Sequence, residues 1–307
     1  MKNISSKIGF IILHYNDYKM TVECVESILA LQYSESVDIV IVDNNSPDKS
    51  AELLKSYFQN ISNVKIMFLD KNYGYSIANN KGYQYLTNYC KYDFIVVANN
   101  DILFKQKDFL ELLVMKYEEH NFYICGPDVY AIYKKEHQNP LALHPRTYEE
   151  ICKWIQYNRK KLRFLRVETL FHNIYLCVNN WKIYEFYKKY FAKRPQKEEN
   201  DWKNEQSNIV LSGSCLIFSK NFIEKSNKLF DPETFFYHEE DILAQKCRMN
   251  DWKTIYTPLL KVEHLEGVAT NQKHYYERMK FRYENFINSG TIYQNYLQER
   301  NIYSNEK

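Results

Sequence analysis

The acidic triplet Glu239-Glu240-Asp241 stands at the head of a helical stretch, directly behind the aromatic run Phe235-Phe236-Tyr237-His238. Acids at a helix start are favoured by the backbone dipole alone. Three adjacent carboxylates walled by aromatics also repel one another and lose water, which raises the pKa of one of them, as a general base working near neutrality requires. Far upstream, Asn99-Asn100-Asp101 closes an apolar run, and Asp101 offers the hard oxygen ligand that a divalent cation prefers. Far downstream, Val262-Glu263-His264-Leu265 sets His264 behind another extended run, where its imidazole would complete such a site. Imidazole suits Mn2+ better than Mg2+. A cation there would neutralise charge developing on a departing diphosphate.

Positioning these groups falls to an alternation of short β-branched runs and helical patterns. Strands are predicted at 8–13, 37–42, 64–69 and 93–98, with helices at 18–31, 48–58 and 76–89 between them. Continuously apolar strands joined by right-handed crossovers stack into a parallel sheet with helices on both faces, and ligands bind at the strands' C-terminal ends. The polar groups fall there: His14-Tyr15-Asn16, Asp43-Asn44-Asn45-Ser46, Asp70-Lys71-Asn72 and Asn99-Asn100-Asp101. Asp43 is placed to accept from a pyrimidine N–H or a ribose hydroxyl, or else to cap the helix that starts near Pro47. Recurrence at four successive strand exits favours a ligand crevice over four unrelated turns.

Bulk composition fits a globular chain: 307 residues, 45% hydrophobic, 26% charged and a net charge of +3. Seven scattered cysteines with no C-x-x-C pair disfavour both a disulfide framework and a zinc site, and a reducing compartment fits them best. Met1 to Lys7 runs straight into the first strand without a signal segment, and no apolar run reaches membrane-spanning length, so the expected location is cytoplasmic. Four regions are expected: an α/β half at 1–132, a helical insertion at 133–208, a return to the same domain at 209–270 and a helical tail at 271–307. Within the return, strand-like runs at 209–211 and 216–219 flank Ser212-Gly213-Ser214, residues 239–250 read as helix and 254–256 as extended. The insertion interleaves Lys160, Lys161, Arg163, Arg166, Lys182, Lys188, Lys189, Lys193, Arg194 and Lys197 with aromatics such as Trp154, Phe164 and Trp181. Its helices suit either an anionic membrane surface or a local aromatic core with solvated lysines. Nucleic acid is a poor partner for so low a net charge without a binding motif.

In this order, Ile12-Leu13-His14-Tyr15-Asn16, Val42-Asp43-Asn44-Asn45-Ser46, the 72–82 segment from Asn72 to Gly82 and Asn99-Asn100-Asp101 resemble family 2 of the inverting glycosyltransferases, especially bacterial rhamnosyltransferase-like members. The resemblance is dense over 8–104 and resumes over 212–267. It implies the GT-A fold, a mostly parallel sheet flanked by helices, here with a basic, aromatic helical insertion and C-terminal helices. It gives Asp43 the nucleobase, lays Asn72, Gly74 and Asn80 along the nucleotide-sugar, and joins them with His14, Tyr15, Asn16, Asn45, Asn99 and Asn100 as the donor site.

Asn99-Asn100-Asp101 resembles the family's D-x-D metal motif with Asn in place of its first acid, so Asp101 becomes the principal acidic ligand beside His264 for Mn2+ or Mg2+. The acidic triplet resembles the family's catalytic pair and implies Glu240 as base, with Asp241 and Glu239 its neighbours in that role. Tyr276 and Arg278 resemble a tail motif of the family, and Gly213 and Ser214 fall near the acceptor. The implied activity is inverting transfer from a UDP- or dTDP-sugar, such as dTDP-rhamnose, to a glycan or lipid-linked acceptor in bacterial surface polysaccharide assembly, with possible contact at the inner membrane face. A catalytically silent module with the same fold is the alternative. A nucleotidyltransferase fits less well, since His14-Tyr15-Asn16-Asp17 is no Gly-rich phosphate loop.

Overall fold

The computed structural model of the protein describes residues 6–178, 201–265 and 275–303. Trp181, Lys182, Lys188, Lys189, Lys193, Arg194 and Lys197 lie outside them, as do Glu266 and Gly267. Two compact units divide the chain, one of Met1–Pro145 with Asn200–Ala269 and one of Arg146–Glu199 with Thr270–Lys307.

The alternation read from the sequence is present: β1 (Ile8–His14), α1 (Tyr18–Leu29), β2 (Val37–Asp43), α2 (Ser50–Phe58), β3 (Val64–Phe68), α3 (Gly74–Tyr89) and β4 (Phe94–Asn99). Next come β5 (Ile102–Leu103), α4 (Phe109–His120), β6 (Ile124–Ala131) and β7 (Glu136–His137). The second unit then supplies α5 (Tyr148–Arg163) and α6 (Leu165–Val178). The first unit resumes with β8 (Gln206–Ser207), β9 (Cys215–Ser219), α7 (Lys220–Ile223), α8 (Glu239–Met249) and β10 (Thr254–His264), and α9 (Tyr275–Glu299) closes the chain in the second unit.

One sheet runs in the order β3-β2-β1-β4-β9-β6-β10-β5, with β7 on β6 and β8 on β10. β1, β2, β3 and β4 pair in parallel, as do β6 and β10. β9 enters antiparallel to both β4 and β6 and joins the two parallel sets. Alternation along β1 explains the two faces. Phe10 and Ile12 enter a core with Val25 and Ile28 of α1 and Phe109 and Leu113 of α4, whereas Ile11 joins Val40, Val42 and Ala78, Tyr83 and Leu86 of α3. Each fully buried side chain of this size contributes about 1.5–3 kcal/mol of apolar burial.

Two local expectations change. The extended stretch at 254–256 is the start of an eleven-residue strand. Pro258 hides this continuity, because a residue without an N–H breaks a strand pattern. The ladder accommodates it at an irregularity, with the register to β6 shifting between Thr257 and Lys261. Residues 209–211 are buried but form only an isolated bridge, Val210 with Ala142. The second unit has its own core, built by Ile151 and Ile155 of α5 with Tyr293 and Leu297 of α9. A capping box of Thr147 and Glu150 starts α5. Within it, buried Glu168 accepts from Tyr275 Oη at 2.7 Å.

Candidate active site

The exits of β1 and β2 form one hydrogen-bonded turn system. Asp43 is buried and accepts from Ser46 Oγ at 2.5 Å and Ser46 N at 3.1 Å. Ser46 Oγ in turn receives Asn16 N at 2.9 Å, which ties the two exits together. Asn16 and Asn45 adopt the left-handed conformation that Asn tolerates better than most residues, with φ of 58° and 61°. Asn16 Oδ1 is buried without a hydrogen-bond partner, an acceptor held ready beside Asp43. Tyr15 and Asn45 are exposed at the rim.

His14 occupies a different position from a ligand contact. Its ring is fully buried, with Nδ1 at 2.7 Å from Thr21 Oγ1 and Nε2 at 2.8 Å from Ser50 Oγ. Burial lowers its pKa, and the charges of Asp43, Asp48 and Asp17 offset part of that effect. The side chain therefore clamps β1 to α1 and α2 behind the crevice. Asn80 likewise spends its amide internally: Oδ1 accepts from Leu229 N and Phe230 N, and Nδ2 donates to Phe230 O and Glu233 Oε1. Both residues build walls, and the structure moves their side chains away from the direct contact expected of them.

Asn72 and Gly74 are held by Asn44, which sequence reading did not single out. Asn44 Nδ2 donates to Asn72 Oδ1 and to Gly74 O at 3.1 Å each, and its Oδ1 accepts from Tyr73 N at 2.8 Å. Gly74 has φ +74°, and a Cβ there would stand 2.4 Å from Phe235 O. Only glycine permits this approach of α3 to the 234–236 segment. Tyr75 N and Ser76 N continue the contact to Phe235 O and Thr234 O.

At the β4 exit, Asn100 Nδ2 donates to Thr21 Oγ1 and Asn99 N donates to Ser214 O. Ile102 pairs with His264 across the β5–β10 ladder, and Leu265 N donates to Asp101 O at 2.9 Å. This pairing brings Asp101 Oδ1 within 3.1 Å of His264 Nε2. His264 Nδ1 lies 2.6 Å from Gln138 Oε1, to which it donates. With one proton on that ring, Nε2 turns a lone pair towards Asp101 Oδ1, which is itself buried without a hydrogen-bond partner. Two converging acceptors are reconciled by a proton or by a cation that both ligate, so this oxygen and nitrogen pair fits a divalent ion. Nothing in the sequence marks Gln138 as the group that orients the imidazole.

The three acids differ in surroundings. Glu239 and Asp241 are buried, whereas Glu240 is partly exposed. Burial pushes the Glu239 carboxyl well above the usual carboxylate range, with the charges of Glu240 and Asp241 adding to the effect. Thr234 Oγ1 donates to Glu239 Oε2 at 3.2 Å. Asp241 Oδ2 lies 3.0 Å from His238 Nδ1 in a buried pair. Tyr237 and His238 both have positive φ, of 71° and 66°, a strained entry to α8 of the kind that clusters at functional sites. Glu240 crosses Gly213, whose Cβ, if present, would stand 3.0 Å from Glu240 Oε1. Tyr75 Oη donates to Gly213 O, and Ser212 and Ser214 hydroxyls bond each other at 2.9 Å. Backbone bonding of Ser214 to Asn99 therefore ties the Glu240 wall to the β4 exit that carries Asp101.

The profile of "Glycosyl transferase family 2" matches residues 10–225, and the chain belongs to that family. It is 28% identical over 116 residues to "Glycosyltransferase GlyG" of Streptococcus pneumoniae serotype 4, a stretch covering 38% of this chain and 36% of GlyG. It is 23% identical over 141 residues to "O-antigen chain rhamnosyltransferase WbaN" of Salmonella anatum, covering 46% of this chain and 41% of WbaN. The chain thus matches well under half the length of these relatives. Among solved structures, S. aureus TarS 1-349 superposes with a TM-score of 0.52 at 13% identity, over 84% of this chain and 60% of that one. The mannosyltransferase PcManGT from Pyrobaculum calidifontis, solved with GDP-Man and Mn2+, has a TM-score of 0.52 at 13% identity, over 95% and 70%. The fold is GT-A.

Proposed function

We propose that the protein is an inverting glycosyltransferase that moves a sugar from a nucleoside-diphosphate donor to a glycan or lipid-linked acceptor in bacterial surface polysaccharide assembly. The approach of Asp101 and His264 at the β4 exit carries the reading. Family membership and the likeness to PcManGT support it. The rhamnosyltransferase relative favours a deoxysugar donor such as dTDP-rhamnose among UDP- and dTDP-sugars.

In this reading Asp43 and Asn16 receive the base and ribose, and Asn72, Gly74, Asn99 and Asn100 shape the path of the diphosphate. Asp101 and His264 would hold a divalent cation, Mn2+ or Mg2+, which when bound supplies Lewis-acid neutralisation of the leaving diphosphate. Glu240 takes the proton of the acceptor hydroxyl. The acceptor oxygen then forms its bond to the anomeric carbon as the bond to the nucleoside diphosphate breaks on the opposite face, inverting configuration. Protonated Glu239 keeps a second negative charge away from Glu240, and Gly213 with Ser214 borders the acceptor. Orientation and electrostatic stabilisation supply the acceleration.

No helix among the described residues is long and apolar enough to cross a membrane. Where α5 passes into α6, however, Phe164, Val167 and Leu170 are exposed beside Arg163 and Arg166. Such a stripe suits peripheral contact with an anionic membrane that carries a lipid-linked acceptor. Release of nucleoside diphosphate from a panel of UDP-, dTDP- and GDP-sugars with Mn2+ or Mg2+ tests the function. Turnover of one donor, lost with chelator and in Asp101→Ala, is the expected result. Turnover that survives both changes would remove the metal assignment, and no turnover or binding of any donor would favour the silent module.

A further inference from the structure

A cavity of about 600 Å³ lies in the first unit, lined by β10, the segment after β5, the β6–β7 hairpin and the segment before β8. It shares no lining residue with the candidate active site. Lys105, Lys203 and Lys261 line it, and none of them forms an ion pair among the described residues. The charge of Lys261 acts on Asp128 and Lys203 Nζ lies 5.6 Å over the Trp202 ring, yet three lysines against two carboxylates leave the lining with a positive balance that favours an anionic ligand.

The other walls restrict what that ligand is. Buried Asp128 accepts from His137 Nδ1 at 2.7 Å, and Glu263 adds a second carboxylate. Two acids beside the lysines oppose a bare anion and accept readily from hydroxyl groups. Trp202 stacks on His137 with ring centroids 3.5 Å apart and planes within 6°, and the Tyr130 ring lies 5.1 Å from His137. An aromatic wall offers apolar surface to the C–H face of a sugar ring, and the cavity falls within the usual range for small-molecule sites. Anion, hydroxyls and ring together describe an acidic saccharide.

The cavity also shares its strands with the ion site. Lys105 follows Asp101 on the β5 segment, and Glu263 immediately precedes His264 on β10. We propose that this cavity binds an acidic sugar residue, carrying a carboxylate or a phosphate, of the acceptor glycan, separately from the donor. The word acceptor rests on the transferase reading, whereas the saccharide site does not.

The test is direct binding to the full chain without donor, by calorimetry, using glucuronic acid, glucose 6-phosphate, glucose and inorganic phosphate. Both acidic sugars should bind about tenfold or more tighter than glucose or inorganic phosphate, since a charge-assisted hydrogen bond is worth roughly that factor. The triple variant Lys105→Gln, Lys203→Gln, Lys261→Gln should lose that advantage with nucleoside diphosphate release unchanged, and Trp202→Ala should weaken all three sugars alike. Equal binding of glucose, equal binding of inorganic phosphate, or undiminished binding by the triple variant would each overturn the proposal, as would no binding at all. Acidic-sugar binding without turnover of any donor would instead sink the transferase reading and leave the saccharide site standing.

Discussion

The two walls of the candidate active site are built in different ways. The strand-exit wall, from Asn16 through Asp43 to Asn72, is stitched by short polar side chains that bond across neighbouring turns. In the opposite wall β9 and α7 follow Gly213, but residues 224–238, which lead into α8, form no helix or strand and are held in place by α3, through Gly74, Tyr75, Ser76 and Asn80. A wall of local turns tolerates loss of one hydrogen bond, because its neighbours remain. The 224–238 stretch, hung on a distant helix, depends on each bracket, because no helix or ladder of its own fixes where it lies.

The sharpest way to break this comparison is at the acids. Glu240→Gln should lower kcat by about 10²–10⁴-fold with the fold and donor affinity intact, the range for loss of a general base. Steady-state kinetics beside a melting curve check this. If Asp241→Asn loses kcat instead while Glu240→Gln keeps it, the base is Asp241. Gly74→Ala comes next, since a Cβ would collide with Phe235 O and the backbone has positive φ. A loss of about 2–4 kcal/mol of stability is expected in denaturant unfolding, in line with strained or overpacked positions.

Asn80→Ala removes the amide that makes four hydrogen bonds to the 229–233 segment. It should cost about 1–3 kcal/mol. It should also reduce kcat although Asn80 touches no substrate in the proposed mechanism. Asn45→Ala, at the exposed rim of the other wall, should change stability by less than about 0.5 kcal/mol. Equal stability losses for the two would show that the walls are not held differently.

Glu239→Gln should have a smaller effect than the changes at Gly74 and Asn80. The folded-state pKa of Glu239 is raised, so its contribution to stability is fully present below the unfolded value and is lost as pH rises through the folded one. The amide mimics the protonated acid, so the variant should gain up to about 1 kcal/mol over wild type at neutral and higher pH and nothing near pH 4. Melting temperatures across that range decide it, and a variant less stable than wild type at neutral pH would show that Glu239 is ionised in the fold.

Much of this protein is legible in its sequence because its strands are short, apolar and regularly spaced, and because Asn and Asp mark each exit from them. From those facts alone follow the α/β class and the order of the first four strands along the chain, and the motifs quoted for the resemblance led to the family whose profile matches residues 10–225. Tertiary structure decided what local pattern does not encode. β9 runs antiparallel between two parallel sets, Pro258 sits inside a continuous strand, and Gln138 turns His264 towards Asp101. His14 and Asn80 also show the limit, since a polar residue at a strand exit or in a motif reads the same whether it faces a ligand or bonds inward. Only the positions of Thr21, Ser50 and the 229–233 backbone, set by long-range packing, decide which atoms are left to meet a substrate.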